Sequence, residues 1–276
     1  MKRTIYFLIA AIGILIPVTA EAEGYNQSID MTESEYNNLL NLGFTEEEVY
    51  FMGEEEYLNN KDLVGEVVGQ TVEYYASTTN DFTGESSNYK VSKDEFEAGR
   101  PLIMLRGGPY VETGYKKMTT TITAVGTRFM YKVTLEWKNM PAVRSIDVLG
   151  IGIHSNNVYI YSSIFFQQNF CLSSGGCSTS TAHGPKISAT GGAAYFYLPT
   201  VSIKSLSSYL YFYVDKNTTA KLTRIYAYGD YAHATKTVSA NNLSYSIMPS
   251  GIILASSIIG SYDTMDFALA SYACNW

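Results

Sequence analysis

From Arg128 to Lys138 the chain alternates without a break. Phe129, Tyr131, Val133, Leu135 and Trp137 share one parity, and Arg128, Met130, Lys132, Thr134, Glu136 and Lys138 share the other. A period of two places each set on its own face of a β-strand. The spacing predicts a strand with its aromatic and aliphatic set buried, and with Lys132 and Glu136 in water. Such a strand needs a second apolar layer to cover it, so the fold belongs to a sheet-containing class.

The same period recurs after Leu63. Strands are predicted at about 67–75, 115–125, 145–153, 158–167, 193–198, 207–214, 221–228 and 231–238, with a short apolar run at 102–105. The run 251–259 suits a buried strand and is far too short to span a bilayer. Asn139-Met140-Pro141 ends the alternating strand, and Asp215-Lys216-Asn217-Thr218 reads as a turn. Residues 77–99 are polar and read as a long loop or short hairpin. Roughly ten to twelve strands with no helices between them predict a mainly β fold, most simply a jelly-roll-like β-sandwich, with a barrel as the alternative. The 24 tyrosines fit this class, because a Tyr ring suits a half-buried sheet position and its hydroxyl tolerates water.

Before Leu63 the pattern is helical. Thr32 and Glu35 form a capping box, Met31 can staple against Tyr36, and Tyr36, Leu39 and Leu40 make one apolar face ended by Gly43. Thr45 and Glu48 repeat the box, with Phe44 placed to staple against Val49 and Gly53 closing the turn. A third short turn starts at Glu54. Each helix is too short to stand alone. The expectation is a small helical hairpin tied loosely to the β domain, as a pro-segment or an adaptor, whose removal leaves that domain folded.

The first residues carry a further signal. Lys2 and Arg3 precede an apolar core from Ile5 to Val18, and Val18-Thr19-Ala20 and Ala20-Glu21-Ala22 both offer cleavage sites. The expected organisation is a signal peptide at 1–22, an acidic helical leader at 23–62 and a β-sandwich domain at 63–276. The leader holds eleven acids and one base, Lys61, while the remainder holds fourteen acids and sixteen bases. The β domain is too weakly basic for nucleic acid and shows no Lys/Arg cluster with interleaved aromatics. The leader resembles those of exported proteins of Gram-positive bacteria, a likeness that spans about forty residues and implies export without an activity. Within it, Leu42-Gly43-Phe44 is similar to the loop of ubiquitin-associated helical domains, although the helix cap explains those three residues equally well.

Cys171 and Cys177 bracket Leu-Ser-Ser-Gly-Gly, a loop flexible enough to join them in an oxidising compartment. They are the predicted disulfide, with Cys274 left over, either buried near the end or free.

Motifs for chemistry are sparse. His154, His183 and His233 have no metal-ligand spacing, so neither metal nor cofactor is expected. No Gly-x-Ser-x-Gly elbow occurs, and no catalytic residue is assigned. Carboxylates on the β domain that could pair across a concave surface are Glu73, Glu112, Glu136, Asp147, Asp215, Asp230, Asp263 and Asp266. Trp137 beside Glu136 could be a sugar platform, but its parity places it in the core. Arg106-Gly107-Gly108-Pro109 and Thr190-Gly191-Gly192 read as turns. The Ser/Thr/Gly-rich stretch 170–194 resembles in composition the insertion hairpins of aerolysin-like pore-forming toxins and also suits an exposed loop. The expected function is therefore a secreted, non-enzymatic protein that binds a cell-surface glycan or a protein partner through exposed tyrosines. A pore-forming or membrane-damaging protein and a secreted carbohydrate-active hydrolase are the alternatives.

Overall fold

The computed structural model describes residues 29–80, 86–99, 111–154, 156–160, 162, 164–263 and 266–276. The expected signal peptide at 1–22, the 102–105 run and the expected turn at Arg106–Pro109 lie outside them.

Three short helices come first: α1 (Glu33–Asn41), α2 (Glu46–Phe51) and α3 (Glu54–Asn60). Both predicted capping boxes form, with Glu35 N bonded to Thr32 Oγ1 at 3.2 Å and Glu48 N bonded to Thr45 Oγ1 at 3.1 Å. Gly43 ends α1 at φ 95°, a left-handed conformation that suits a residue without a Cβ. Strands β1 (Gly65–Asn80) and β2 (Ser86–Val91) follow, then α4 (Lys93–Ala98), whose capping box is Ser92 and Glu95. The remaining strands are β3 (Val111–Val125), β4 (Arg128–Asn139), β5 (Ile146–Ile153), β6 (Val158–Ile160), β7 (Phe165–Leu172), β8 (Cys177–Thr181), β9 (His183–Ser188), β10 (Gly191–Tyr197), β11 (Ile203–Lys216), β12 (Arg224–Ala232), β13 (Tyr245–Met248), β14 (Gly251–Leu254) and β15 (Asp266–Ala273).

These strands form a β-sandwich. One antiparallel sheet runs β2-β1-β3-β4-β11-β7-β8 with β6 also on β11, and the other runs β15-β12-β5-β10-β9. The core lies between them. Phe129, Tyr131, Val133, Leu135 and Trp137 of β4 enter it as their parity predicts, meeting Leu149, Ile151 and Ile153 of β5. Two expected strand limits change. The 158–167 run splits into β6 and β7, which both pair with β11, and the 221–238 pair becomes the single strand β12. The described residues of the polar stretch 77–99 form the end of β1, β2 and α4.

Each sheet carries a cover on its outer face. The β13–β14 hairpin lies on the five-stranded sheet, where Tyr245, Ile247 and Ile252 pack on Val148, Ala193 and Ala232. It comes so close that a Cβ on Gly152 would meet the carbonyls of Met248 and Pro249. The helical leader lies on the larger sheet. Leu39, Leu42, Phe44, Val49 and Met52 form one apolar cluster with Met130, Tyr209 and Tyr211.

This docking corrects two expectations. Lys132, placed in water by its parity, is 2% exposed because the leader covers that face of β4. The leader itself is not loosely tied. Beyond its apolar cluster, Glu48 forms an ion pair with Lys132 and accepts the Thr134 hydroxyl at 2.7 Å. Farther along, Tyr209 donates to Glu56 at 2.9 Å and Asn60 donates to the Tyr211 hydroxyl at 2.8 Å. Three alternate tyrosines of β11 (209, 211 and 213) thus meet two residues one turn apart on α3.

Candidate functional site

Among the described residues a groove of about 700 Å3 with a mixed lining lies between α2 and the β7–β8 hairpin. Its helical wall is set by the Thr45–Glu48 box. Glu48 caps the helix and also holds Lys132, so α2 is fixed in rotation, with Val49 and Met52 turned inward. That rotation leaves Glu46, Glu47, Tyr50 and Phe51 along the groove. The Tyr50 and Phe51 rings stand at 86° with centroids 4.9 Å apart.

The opposite wall is Cys171, Leu172, Gly175, Gly176 and Cys177. Cys171 and Cys177 are direct partners in the β7–β8 register and are joined as a disulfide. Cys274 is free and half-buried. The floor comes from the larger sheet: Lys117 of β3 is the register partner of Glu136 of β4, and the two are ion-paired at 2.5 Å. Lys204 and Ser205 of β11 complete the lining. Ser207 donates to Glu47 at 3.2 Å. Burial raises the Glu47 carboxyl above its ordinary value against that hydrogen bond, and the negative charges of Glu136 and Glu48 add to the rise.

On the far side of Tyr50 and Phe51 is a smaller cleft of about 360 Å3, lined also by Gln167, Ser178 and Thr179. Gln167 donates to the Phe51 carbonyl at 3.0 Å and to Asn169 Oδ1 at 2.7 Å. The larger groove sets aromatic faces beside carboxylate, ammonium and hydroxyl groups, and the smaller cleft sets them beside amide and hydroxyl groups.

The predicted carboxylates scatter. Glu136 lies in the groove. Glu73 pairs with Lys90 and Asp215 with Arg128, while the Glu112 side chain lies outside the described ones. Asp147, Asp263 and Asp266 gather in a buried network. His233 Nδ1 is 3.0 Å from Asp147 Oδ1, Asp147 accepts the Tyr231 hydroxyl, and Trp137 Nε1 donates to that hydroxyl at 3.0 Å. Trp137 is therefore a core residue. The Asp263 carboxylate receives the His233 amide at 2.8 Å and Lys116 at 3.1 Å, and Lys116 also pairs with Asp266. Burial pulls Lys116 down, but Asp263 and Asp266 outweigh it and hold the ammonium above its ordinary value. Asp266 is raised, first by burial.

Asp230 stands apart, accepting the Ile252 amide at 2.6 Å. Burial pushes its carboxyl up to about 7, against the amides of Ile252 and Tyr231. It lines a cleft of about 170 Å3 whose remaining lining is mostly aliphatic. These groups are spent on one another or on backbone amides, so the network ties β3, β4, β5 and β12 to Asp263 and Asp266.

His154 and His183 lie elsewhere, in ring contact with Tyr228 and Tyr195 respectively. Among the described residues no group of three His, Cys, Asp or Glu could hold a metal ion. The Ser/Thr-rich stretch 170–194 is paired into β7, β8, β9 and β10, with β8 and β9 at the sheet edges. None of Glu46, Glu47, Tyr50, Phe51, Lys117 or Lys204 is a candidate site residue on sequence grounds. One signal was present: adjacent aromatics at the end of a two-turn helix cannot both face its core.

No protein-family model matches the chain, and no curated protein does. Among solved structures it is similar to a "Pore forming protein" at 9% identity, over 59% of this chain and 87% of that one, with a TM-score of 0.27. It is also similar to a protein described as "AvmM Catalyzes Macrocyclization in Alchivemycin A Biosynthesis" at 8% identity, over 53% and 82%, with a TM-score of 0.24. At these TM-scores neither likeness carries an argument about what this chain does.

Proposed function

We propose that this is an exported binding protein and that the groove between α2 and the disulfide hairpin takes a segment of a cell-surface glycan. The observation that carries this reading is the Tyr50–Phe51 pair set among Glu46, Glu47, Lys204 and Ser205. Ring faces suit the C–H faces of a sugar, and flanking carboxylates and ammonium groups suit its hydroxyls. The apolar h-region at the N-terminus and the Cys171–Cys177 disulfide agree with an oxidising compartment.

The test is binding of purified protein to immobilised cell-wall polysaccharide fragments. Tyr50→Ala and Lys204→Ala should each weaken retention by about tenfold, the usual scale for one good contact. Tyr159→Ala, at an exposed ring outside the groove, should leave it unchanged. Retention that is absent, or equal in the Tyr50→Ala protein, would count against the reading.

A cleaving activity has one observation in its favour: the raised Glu47 carboxyl lies within electrostatic reach of Glu136. Release of reducing sugar by the wild type that disappears in Glu47→Gln would establish that reading instead.

A further inference from the structure

The outer face of the five-stranded sheet differs in kind from the leader-covered face. On β15 the residues alternate, with Ala268 and Ala270 buried and Phe267 and Leu269 turned outward; Phe267 is 58% exposed. Their register partners on β12 are Asp230 and Tyr228. Tyr226 and Tyr228 share that outward parity, and the His154 ring stands 5.6 Å from Tyr228. The β13–β14 hairpin lies beside them, and the residues it turns away from the sheet include Met248 and Ile253, the latter 49% exposed. Ile259 extends the strip across the cleft above Asp230. Toward the other edge Tyr195, Tyr197 and His183 form a second ring cluster.

The charge on this layer is one-sided. Its carboxylates among the described residues are Asp147, Asp230, Asp263 and Asp266, and all four are buried. Exposed on it are the cations Arg224 and Lys186. The acids concentrate in the leader, which covers the outer face of the opposite sheet. The molecule therefore has an acidic side and, across the sandwich, a side carrying aliphatic residues, tyrosines, histidines and cations with no exposed carboxylate among the described residues.

We propose that this second side seats on the interface of a phospholipid bilayer bearing anionic headgroups. Aliphatic side chains enter the acyl boundary, Tyr and His rings suit the headgroup level, and Lys and Arg meet the lipid phosphates. The acidic leader then points away from the negative surface, so electrostatics selects the same orientation as the apolar strip. An isolated exposed aliphatic residue is ordinary, whereas a strip drawn from β15, the hairpin and the Ile259 turn is not. The inference stands independently of the glycan groove, which lies on the larger sheet and stays open to solvent in this orientation.

The experiment is cosedimentation of the purified protein with vesicles of phosphatidylcholine and phosphatidylglycerol in a three-to-one mixture, and with phosphatidylcholine alone. The wild type should sediment with the anionic vesicles and more weakly with the neutral ones. Phe267→Ser combined with Ile253→Ser should lower the bound fraction by about tenfold or more, since each removes most of an exposed apolar side chain. Arg224→Glu should weaken binding to the anionic vesicles alone. Val64→Ser, at an exposed aliphatic residue beside the leader, should change nothing. All these sites are exposed, so an unchanged thermal transition can be checked for each variant. Wild type that remains in the supernatant, or a Phe267/Ile253 variant that sediments like wild type, overturns the proposal. So does a wild-type dimer that ignores vesicles and that the double variant splits into monomers, because the strip would then be a protein interface.

Discussion

Glu48 of α2 and Lys132 of β4 form an ion pair from which water is excluded, their side chains 0% and 2% exposed. One Glu48 oxygen also closes the helix cap to Thr45, the other accepts from Thr134, and the Lys132 ammonium stands over the Phe44 and Tyr209 rings. A buried pair of this kind need not stabilise relative to apolar residues of the same volume, but removing one partner strands the other. Glu48→Ala should therefore cost about 3–5 kcal/mol in urea unfolding. Glu48→Gln with Lys132→Met should recover most of that loss. Deleting residues 29–62 strips the cover from Met130, Tyr209 and Tyr211 as well. That truncation should yield aggregated or unfolded protein, seen as loss of the cooperative thermal transition.

Trp137 anchors the other side of the same strand. Its ring is buried and its Nε1 reaches the Tyr231 hydroxyl, which donates on to Asp147. Trp137→Ala should cost about 3–5 kcal/mol. Tyr231→Phe changes little volume but leaves the indole without its acceptor and removes one of the donors to Asp147, which should cost about 1–3 kcal/mol. Chemical denaturation of both variants checks the order; equal losses would mean that the hydrogen-bonded chain, not packing, dominates.

The strands of the sandwich were readable wherever one face met the core. The parity of 128–138 places every inward side chain of β4 correctly. It could not place Lys132, because alternation separates two faces without saying what lies on the second. The two leader capping boxes were readable because a cap is a local arrangement. The same signature at Ser92 and Glu95 sits inside a polar stretch that reads as loop. The division of 158–167 into β6 and β7 depends on pairing with β11, some fifty residues later, and leaves no local mark. The groove has the same character. Tyr50, Glu136, Cys177 and Lys204 share no pattern in sequence and meet only because the leader folds back on a sheet formed after it.

The disulfide sits near the tip of its hairpin, and β7 and β8 continue to pair as far as Gln167 and Thr181. A loop this short contributes about 2 kcal/mol in the chain-entropy description. Cys171→Ser with Cys177→Ser should lower stability by about that amount and leave the sandwich folded. Amide exchange should quicken at Leu172 and Gly175, whose bonds to Gly176 O and Leu172 O close the tip, and not at Tyr209. Exchange that quickened along the whole of β11 would show the disulfide holding the sheet as well as the groove wall.

Glu56 gives the leader interface a pH dependence of definite sign. Burial pushes its carboxyl up to about 8 from the ordinary 4.5, against the Tyr209 hydroxyl hydrogen bond. Glu48 adds to the rise, while Lys132 and Tyr211 oppose it. The folded protein thus holds the Glu56 proton more tightly than the unfolded chain does. Its contribution is full below about pH 4.5 and is lost as pH rises through about 8. Asp230, raised to about 7, has the same sign and adds to the slope at slightly lower pH. Glu35 is held down to about 2, chiefly by the Thr32 backbone amide, and acts in the opposite sense, but only as pH falls below about 4.5. Urea midpoints compared at pH 5 and pH 8.5 therefore report the raised carboxyls, Glu56 and Asp230 together with Glu47 and Asp266, without Glu35. The wild type should lose on the order of a few kcal/mol across that window. Glu56→Gln should flatten the largest share of the slope, and Asp230→Asn a further part of it. A wild-type midpoint that stays level, or rises, toward pH 8.5 would mean that Glu56 is ionised in the folded protein and that the leader interface admits water.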